Sequence, residues 1–167
     1  MQLVSGHSIS YNGIVEPDVL VHTQTTLPTY SYALDRLNQR TLPLDQHTYD
    51  GRYTGAGVTV YVIDTGMSPT LFYPWVCGFN FIGNNTDCSS TNVHATHIGS
   101  LVKSPLFGLA HNAIVVNLKV LDDNGSGLMS TVVRALDYIL DHNITCSIIN
   151  MSLGGPKSRI LNRKIKE

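Results

Sequence analysis

The chain has 167 residues, 43% of them hydrophobic and 14% charged, and a formal net charge of −1. That is one domain of ordinary size with enough apolar residues to bury a core. The near-neutral balance, with no basic cluster beyond the Lys164–Lys166 region, argues against nucleic acid as a partner, and no apolar run reaches membrane-spanning length.

Residues 1–24 read as polar and mixed, with one strand-like piece from Ile14 to His22. They lack the basic start and apolar block of a signal peptide. Residues 25–56 are rich in Thr, Tyr, Pro and Gly and read as an extended arm with one short helical candidate, Tyr32–Asn38. Residues 57–66 are the first strong signal. Val58, Val60, Val62 and Ile63 make the run apolar on both faces, the habit of a strand covered on both sides. It ends in Asp64-Thr65-Gly66, and a carboxylate at the end of a parallel strand sits where open α/β sheets place their sites. The plain alternative is an aspartate capping the next turn.

Residues 67–93 read as a long irregular connection holding Pro69, Pro74, Gly78 and Gly83, and so long a loop is usually functional. Asn84-Asn85-Thr86 is a glycosylation acceptor if the protein is secreted. Cys77 and Cys88 are spaced to pair; the alternative is that these two and Cys146 are all thiols. A helix starts near His94, with Thr91 or Asn92 as cap, and Ser104, Pro105 and Gly108 stop it. Ile114–Leu121 is a second strand, and Asp122–Gly127 a turn. A patterned helix over Ser130–Asp141 follows, with Val132, Val133, Leu136, Ile139 and Leu140 as its buried stripe and Ser130 as N-cap. Cys146–Leu153 is a third strand, closed by Gly154-Gly155-Pro156, and Ser158–Glu167 is amphipathic and helical. Strand and helix alternate, which predicts an α/β fold: a parallel sheet flanked by helices, with right-handed crossovers.

His94 and His97 admit three readings. They are a core pair, or zinc ligands, or His94 is a general base. The zinc reading has the wrong spacing and no intervening Glu. As a base, His94 needs a carboxylate to orient its ring, and Asp64 is the candidate. Gly125-Ser126-Gly127 lacks the features of a phosphate loop, and Ser152-Leu153-Gly154 offers open backbone at a strand end, the kind of edge that pairs with an extended peptide.

Four segments come in the order and near the spacing of the subtilisin-like serine proteases, which this chain resembles. They are Val60–Gly66, His94-Ala95-Thr96-His97, Lys119–Gly127 and Asn150–Gly155. The branch it looks most like is that of proteinase K and aqualysin. Leu34–Gln39 with Leu42-Pro43-Leu44 resembles the start of the mature enzyme, and Tyr11–Val21 the last strand of the inhibitory propeptide.

The resemblance implies a serine endopeptidase in which Asp64 and His94 are the triad aspartate and base. Gly125, Ser126, Gly127, Ser152, Leu153 and Gly154 would flank a polypeptide substrate. Residues 1–24 would be the C-terminal remnant of a propeptide that partners the enzyme, and maturation would cut near Gln24–Thr26. Residues 25–167 would be the N-terminal half of the catalytic domain, a fold incomplete at its C-terminus. The family's Gly-Thr-Ser-Met-Ala nucleophile segment and its oxyanion-hole Asn would lie beyond residue 167, so the chain alone is expected to be inactive. The resemblance also implies secretion. No cofactor or metal serves the chemistry; structural calcium in the intact protein has no motif here to locate it.

Three departures stand out. Val93 and Ala95 replace the family's glycines beside the histidine, and Ser89-Ser90-Thr91 look inserted ahead of it. The aqualysin-branch partner of the cysteine near Cys88 is replaced by Asp123, which favours a Cys77 pairing or a free thiol. If Val93 or Ala95 displaced the imidazole, the alternative would be a non-catalytic, peptide-binding or inhibitory relative.

Overall fold

A computed structural model describes residues 3–11, 14–19, 26–27, 32–45, 49–50, 53–69 and 73–166. The centre is a parallel sheet of four strands in the order β6-β7-β5-β8. These are β5 (Thr59–Asp64), β6 (Val76–Asn80), β7 (Ile114–Lys119) and β8 (Ser147–Asn150). β5 pairs in register with β7 from Thr59↔Ile114 to Asp64↔Lys119, and with β8 from Thr59↔Ser147 to Val62↔Asn150.

Every residue of β5 is buried, because a helix covers each face and side chains alternate between faces. Tyr61 and Ile63 join Leu118, Val120 and Phe81 under α3 (Met129–His142), which contributes Val132, Ala135, Leu136 and Ile139. Val60 and Val62 join Met67, Ala113 and Val115 on the other face, under Ala95, Ile98 and Val102 of α2 (His94–Lys103). Fully burying a side chain such as Ile63 contributes about 2–3 kcal/mol. α4 (Arg159–Lys164) rests on α3, where Lys164 Nζ meets Asp137 Oδ1 at 2.8 Å.

Outside this unit, β1 (Leu3–Tyr11) and β2 (Ile14–Val19) form an antiparallel pair of their own. β3 (Thr26–Leu27) pairs with β4 (Tyr49–Asp50), and α1 (Tyr32–Asn38) lies against β4. β1 was not expected from the sequence. Residues 20–22 of the predicted strand, residues 24–25 of the predicted cleavage region and residue 167 lie outside the described residues.

The structure corrects several local expectations. Residues 67–93 contain a strand, β6. Gly78 interrupts its apolar pattern, yet the glycine is there because a Cβ would stand 2.6 Å from Leu118 Cδ2 and 2.9 Å from Val116 Cγ1. α3 begins one residue early, with Leu128 at the N-cap position and no side-chain cap bond, so Ser130 is not the cap. Of its expected stripe, Leu140 is exposed, and Thr131 and Ala135 are buried instead. α3 ends as expected at Asn143, whose φ of 42° is left-handed. The N-cap position of α2 is Val93, and Asn92, one of the two expected caps, accepts the N–H of the first helical residue, His94, at 3.0 Å. Cys77 and Cys88 are disulfide-bonded, and Cys146 is free and exposed.

No helix among the described residues is long and apolar enough to cross a membrane.

Candidate active site

The site forms at the carboxyl ends of β5, β7 and β8. β5 delivers Asp64, which is fully buried. β7 fixes its main chain: the N–H groups of Val120 and Leu121 donate to the Asp64 carbonyl at 2.8 and 3.1 Å. The buried Asn117 straddles the same turn, with Nδ2 donating to the carbonyls of Val62 and Thr65 at 3.2 and 3.1 Å. The turn then needs Gly66, since a Cβ there would stand 2.1 Å from the Cys88 carbonyl oxygen. Met67 N–H donates to that same carbonyl at 2.9 Å.

α2 delivers His94 as its first residue. Nδ1 lies 2.8 Å from Asp64 Oδ1, which also accepts the Thr65 N–H at 2.6 Å. An ionised Asp64 only accepts, which places the proton on Nδ1 and leaves Nε2 as the basic nitrogen. The imidazole is about half exposed, with side-chain accessibility 49%. The helix start is tied to the aspartate turn, because Ala95 N–H donates to Thr65 Oγ1 at 3.2 Å, and His94 N–H donates to Asn92 Oδ1 at 3.0 Å. Tyr73, buried beneath α2, donates its hydroxyl to the Thr96 carbonyl at 2.6 Å, and burial pushes its phenol up to about 12.

Val93 and Ala95 fit this geometry. Val93 has φ −83°, so the position asks for nothing only glycine can give, and the Ala95 methyl is fully buried in the core under α2. Neither displaces the imidazole from Asp64.

His94 opens into a cleft of about 490 Å³ between two main-chain edges, Gly125–Gly127 after β7 and Ser152–Gly154 after β8, with Thr65, Asn92 and Leu121 completing the lining. All the residues picked out from the sequence therefore meet: Asp64 lies beneath His94, and the six edge residues form the walls. His97, by contrast, is exposed one turn along α2 and plays no part. Ser126 and Ser152 belong to the walls.

Sequence reasoning missed Asn117; it named Asn92 as a helix cap and Thr65 beside Asp64, but gave neither a place in the cleft. The only signal for Asn117 was a lone amide inside an apolar strand. Among the described residues no three His, Cys, Asp or Glu side chains are grouped to hold a metal ion.

The chain is similar to known proteins. A model of the subtilase family matches residues 55–166. Alkaline serine exoprotease A of Vibrio alginolyticus is 35% identical over 161 residues, covering 95% of this chain and 30% of that protein. The extracellular serine proteinase of Thermus sp. (strain Rt41A) is 36% identical over 155 residues, covering 90% of this chain and 37% of that protein. The crystal structure of a cold adapted subtilisin-like serine proteinase superposes with a TM-score of 0.77 at 36% identity, covering 84% of this chain and 52% of that one. The chain thus spans roughly a third of the length of the curated relatives it matches. With the family's parallel sheet and its motifs in order, the chain belongs to the subtilase family.

Proposed function

We propose that the whole protein is a secreted serine endopeptidase, with Asp64 and His94 as two members of an Asp-His-Ser triad. The observation that carries this is the 2.8 Å contact between His94 Nδ1 and a buried Asp64, at the floor of a cleft with two main-chain walls. Polypeptide is the substrate class. An extended chain fits between the Gly125–Gly127 and Ser152–Gly154 edges as an added strand, held by main-chain hydrogen bonds.

The nucleophile in this reading is a serine outside residues 1–167, reaching Nε2 from the open side of His94. Nε2 takes the hydroxyl proton as Oγ bonds to the scissile carbonyl carbon. It then gives that proton to the leaving amine as the C–N bond breaks, and water repeats the sequence to release the acid. Asp64 keeps Nδ1 protonated and stabilises the imidazolium.

Residues 1–24 belong, in the same reading, to an inhibitory propeptide, and residues 25–167 to the catalytic domain. One observation supports that division: among the described residues, β1 and β2 pair with each other and with no strand of the four-stranded sheet. A relative named as an extracellular serine proteinase supports secretion. The non-catalytic alternative rested on a displaced imidazole, and the geometry beside Val93 and Ala95 does not favour it.

Fluorophosphonate labelling tests the reading. The whole protein labels on a serine, Asp64→Asn lowers turnover on the order of 10⁴-fold, and His94→Ala abolishes labelling. Unchanged labelling of His94→Ala, or labelling of the 167-residue chain by itself, would overturn it.

A further inference from the structure

The turn after β7 does more than form a wall. Asp123 sits in it with its carboxylate half exposed, yet five hydrogen bonds converge on this residue. Lys119 Nζ, on a side chain only 7% accessible, reaches Oδ1 at 2.8 Å. Ser90 Oγ donates to Oδ1 at 2.7 Å. Thr91 donates twice to Oδ2, from Oγ1 at 2.9 Å and from its N–H at 3.3 Å. Asn92 Nδ2 donates to the Asp123 carbonyl at 3.1 Å.

The donors from Ser90, Thr91 and Asn92 all belong to the run that leads into His94. Ser90 Oγ accepts the Asn92 N–H at 3.1 Å, and Asn92 Oδ1 accepts the His94 N–H at 3.0 Å. An unbroken path therefore runs from the buried Lys119 ammonium through Asp123 to the residue that carries the imidazole. α2 has no side-chain cap of its own at Val93, so this path is what holds its start from the cleft side.

We propose that Asp123 is a positioning residue: anchored on Lys119, its carboxylate locks the His94 loop to the Gly125–Gly127 wall, so that the aim of the imidazole and the place of that wall are set together. Resting on the protease reading above, this assigns a task to a residue outside the triad and outside the cleft lining. The chemistry suits the task. One carboxylate offers about four lone-pair sites, and here four side-chain and main-chain donors occupy them. Charge-assisted bonds are roughly twice as strong as neutral ones. The bonds from Lys119, Ser90 and Thr91 hold the Asp123 carboxyl well below the usual range, so it stays ionised wherever the protein is folded. Lys119 is the register partner of Asp64, which ties the anchor to the strand pair that carries the triad aspartate.

The test is nuclear magnetic resonance on the whole protein labelled with ¹⁵N-histidine, reading the Nδ1–H proton that His94 shares with Asp64. Unmodified, that proton resonates far downfield and exchanges slowly with solvent. Asp123→Ala speeds its exchange about tenfold, the loss expected for a bond to a charged group. Asp123→Asn, which keeps the shape without the charge, falls between. A folded Asp123→Ala protein with an unchanged His94 proton overturns the proposal. If that variant does not fold, Ser90→Ala and Thr91→Val each remove single donors, and no response from either overturns it equally. Failure of the protease reading looks different: the downfield proton is then missing from the unmodified protein.

Discussion

The two walls of the cleft are built in opposite ways. The Gly125–Gly127 wall is bonded to itself and to the framework. Asp122 N–H donates to the Ser126 carbonyl at 2.7 Å, and Asp122 Oδ1 accepts the N–H groups of Asn124 and Ser126, each at 2.9 Å. Gly127 lies so close to β7 that a Cβ would stand 2.1 Å from the Val120 carbonyl oxygen. The Ser152–Gly154 wall has little of this. It follows β8, which among the described residues pairs with β5 alone, and Ile148 and Ile149 of that strand are 59% and 40% exposed. A Cβ on Gly154 would meet nothing within 4 Å. Among the described residues, one wall is thus bonded to its own turn and to the framework, whereas the other has space beside Gly154.

The largest expected effect is on the fixed side. The disulfide between Cys77 and Cys88, 11 residues apart, ties β6 to the loop whose Cys88 carbonyl holds the turn after Asp64. Replacing both cysteines by alanine lowers stability by about 3 kcal/mol, read by urea unfolding of the oxidised parent against the variant. A loss well under 1 kcal/mol would mean the histidine side is pinned without it. Gly127→Ala comes next, at about 2 kcal/mol, because the new methyl must push aside main chain on β7 and not a flexible side chain. Equal stability of Gly127→Ala and the parent would break the contrast between the walls.

The third effect is pH-dependent. The Tyr73 phenol braces α2 through the Thr96 carbonyl, and its ionisation is pushed up to about 12. A group whose folded pKa is raised contributes stability that is fully present below its unfolded value, about 10 for tyrosine, and lost as pH rises through the folded one. Thermal unfolding followed from pH 9 to 12 should therefore show an alkaline loss that Tyr73→Phe reduces, the raised phenol of Tyr61 keeping part of it, at a constant cost of about 1 kcal/mol at neutral pH. The same alkaline slope in the variant would assign the loss to other groups.

These contrasts show what the sequence made legible. β5, β7 and α3 were readable because their apolar periods are regular, and Asp64, His94 and the two glycine edges because their motifs stand in order. β6 was hidden because Gly78 looks like a breaker, when in fact it lets the strand approach Leu118 and Val116. β1 was hidden by a weak pattern, although Asn12-Gly13 beside it is a strong hairpin signal. The helix starts at Val93 and Leu128 carry no cap from their own side chains; at α2 the first N–H groups donate to Asn92 and Thr65 instead. Asn117 and Asp123 act through partners 52 and 33 residues away, a separation that no local pattern encodes.

The smallest expected effect tests the open wall most directly. Gly154 has a negative-φ backbone and empty space around its Cα, so alanine there strains nothing and displaces nothing in the chain itself. Urea unfolding of Gly154→Ala should agree with the parent to within about 0.5 kcal/mol. The methyl does point from a residue that lines the cleft, where an added peptide strand must bring its backbone close. Peptide binding by the whole protein should then weaken although stability does not. If Gly154→Ala instead destabilised the chain as much as Gly127→Ala, the wall would be packed and not open, and the room it leaves would have no bearing on a ligand. If stability and peptide affinity both held, the extended chain would have to bind without close approach to Gly154, leaving Gly125–Gly127 as the edge that carries the main-chain contacts.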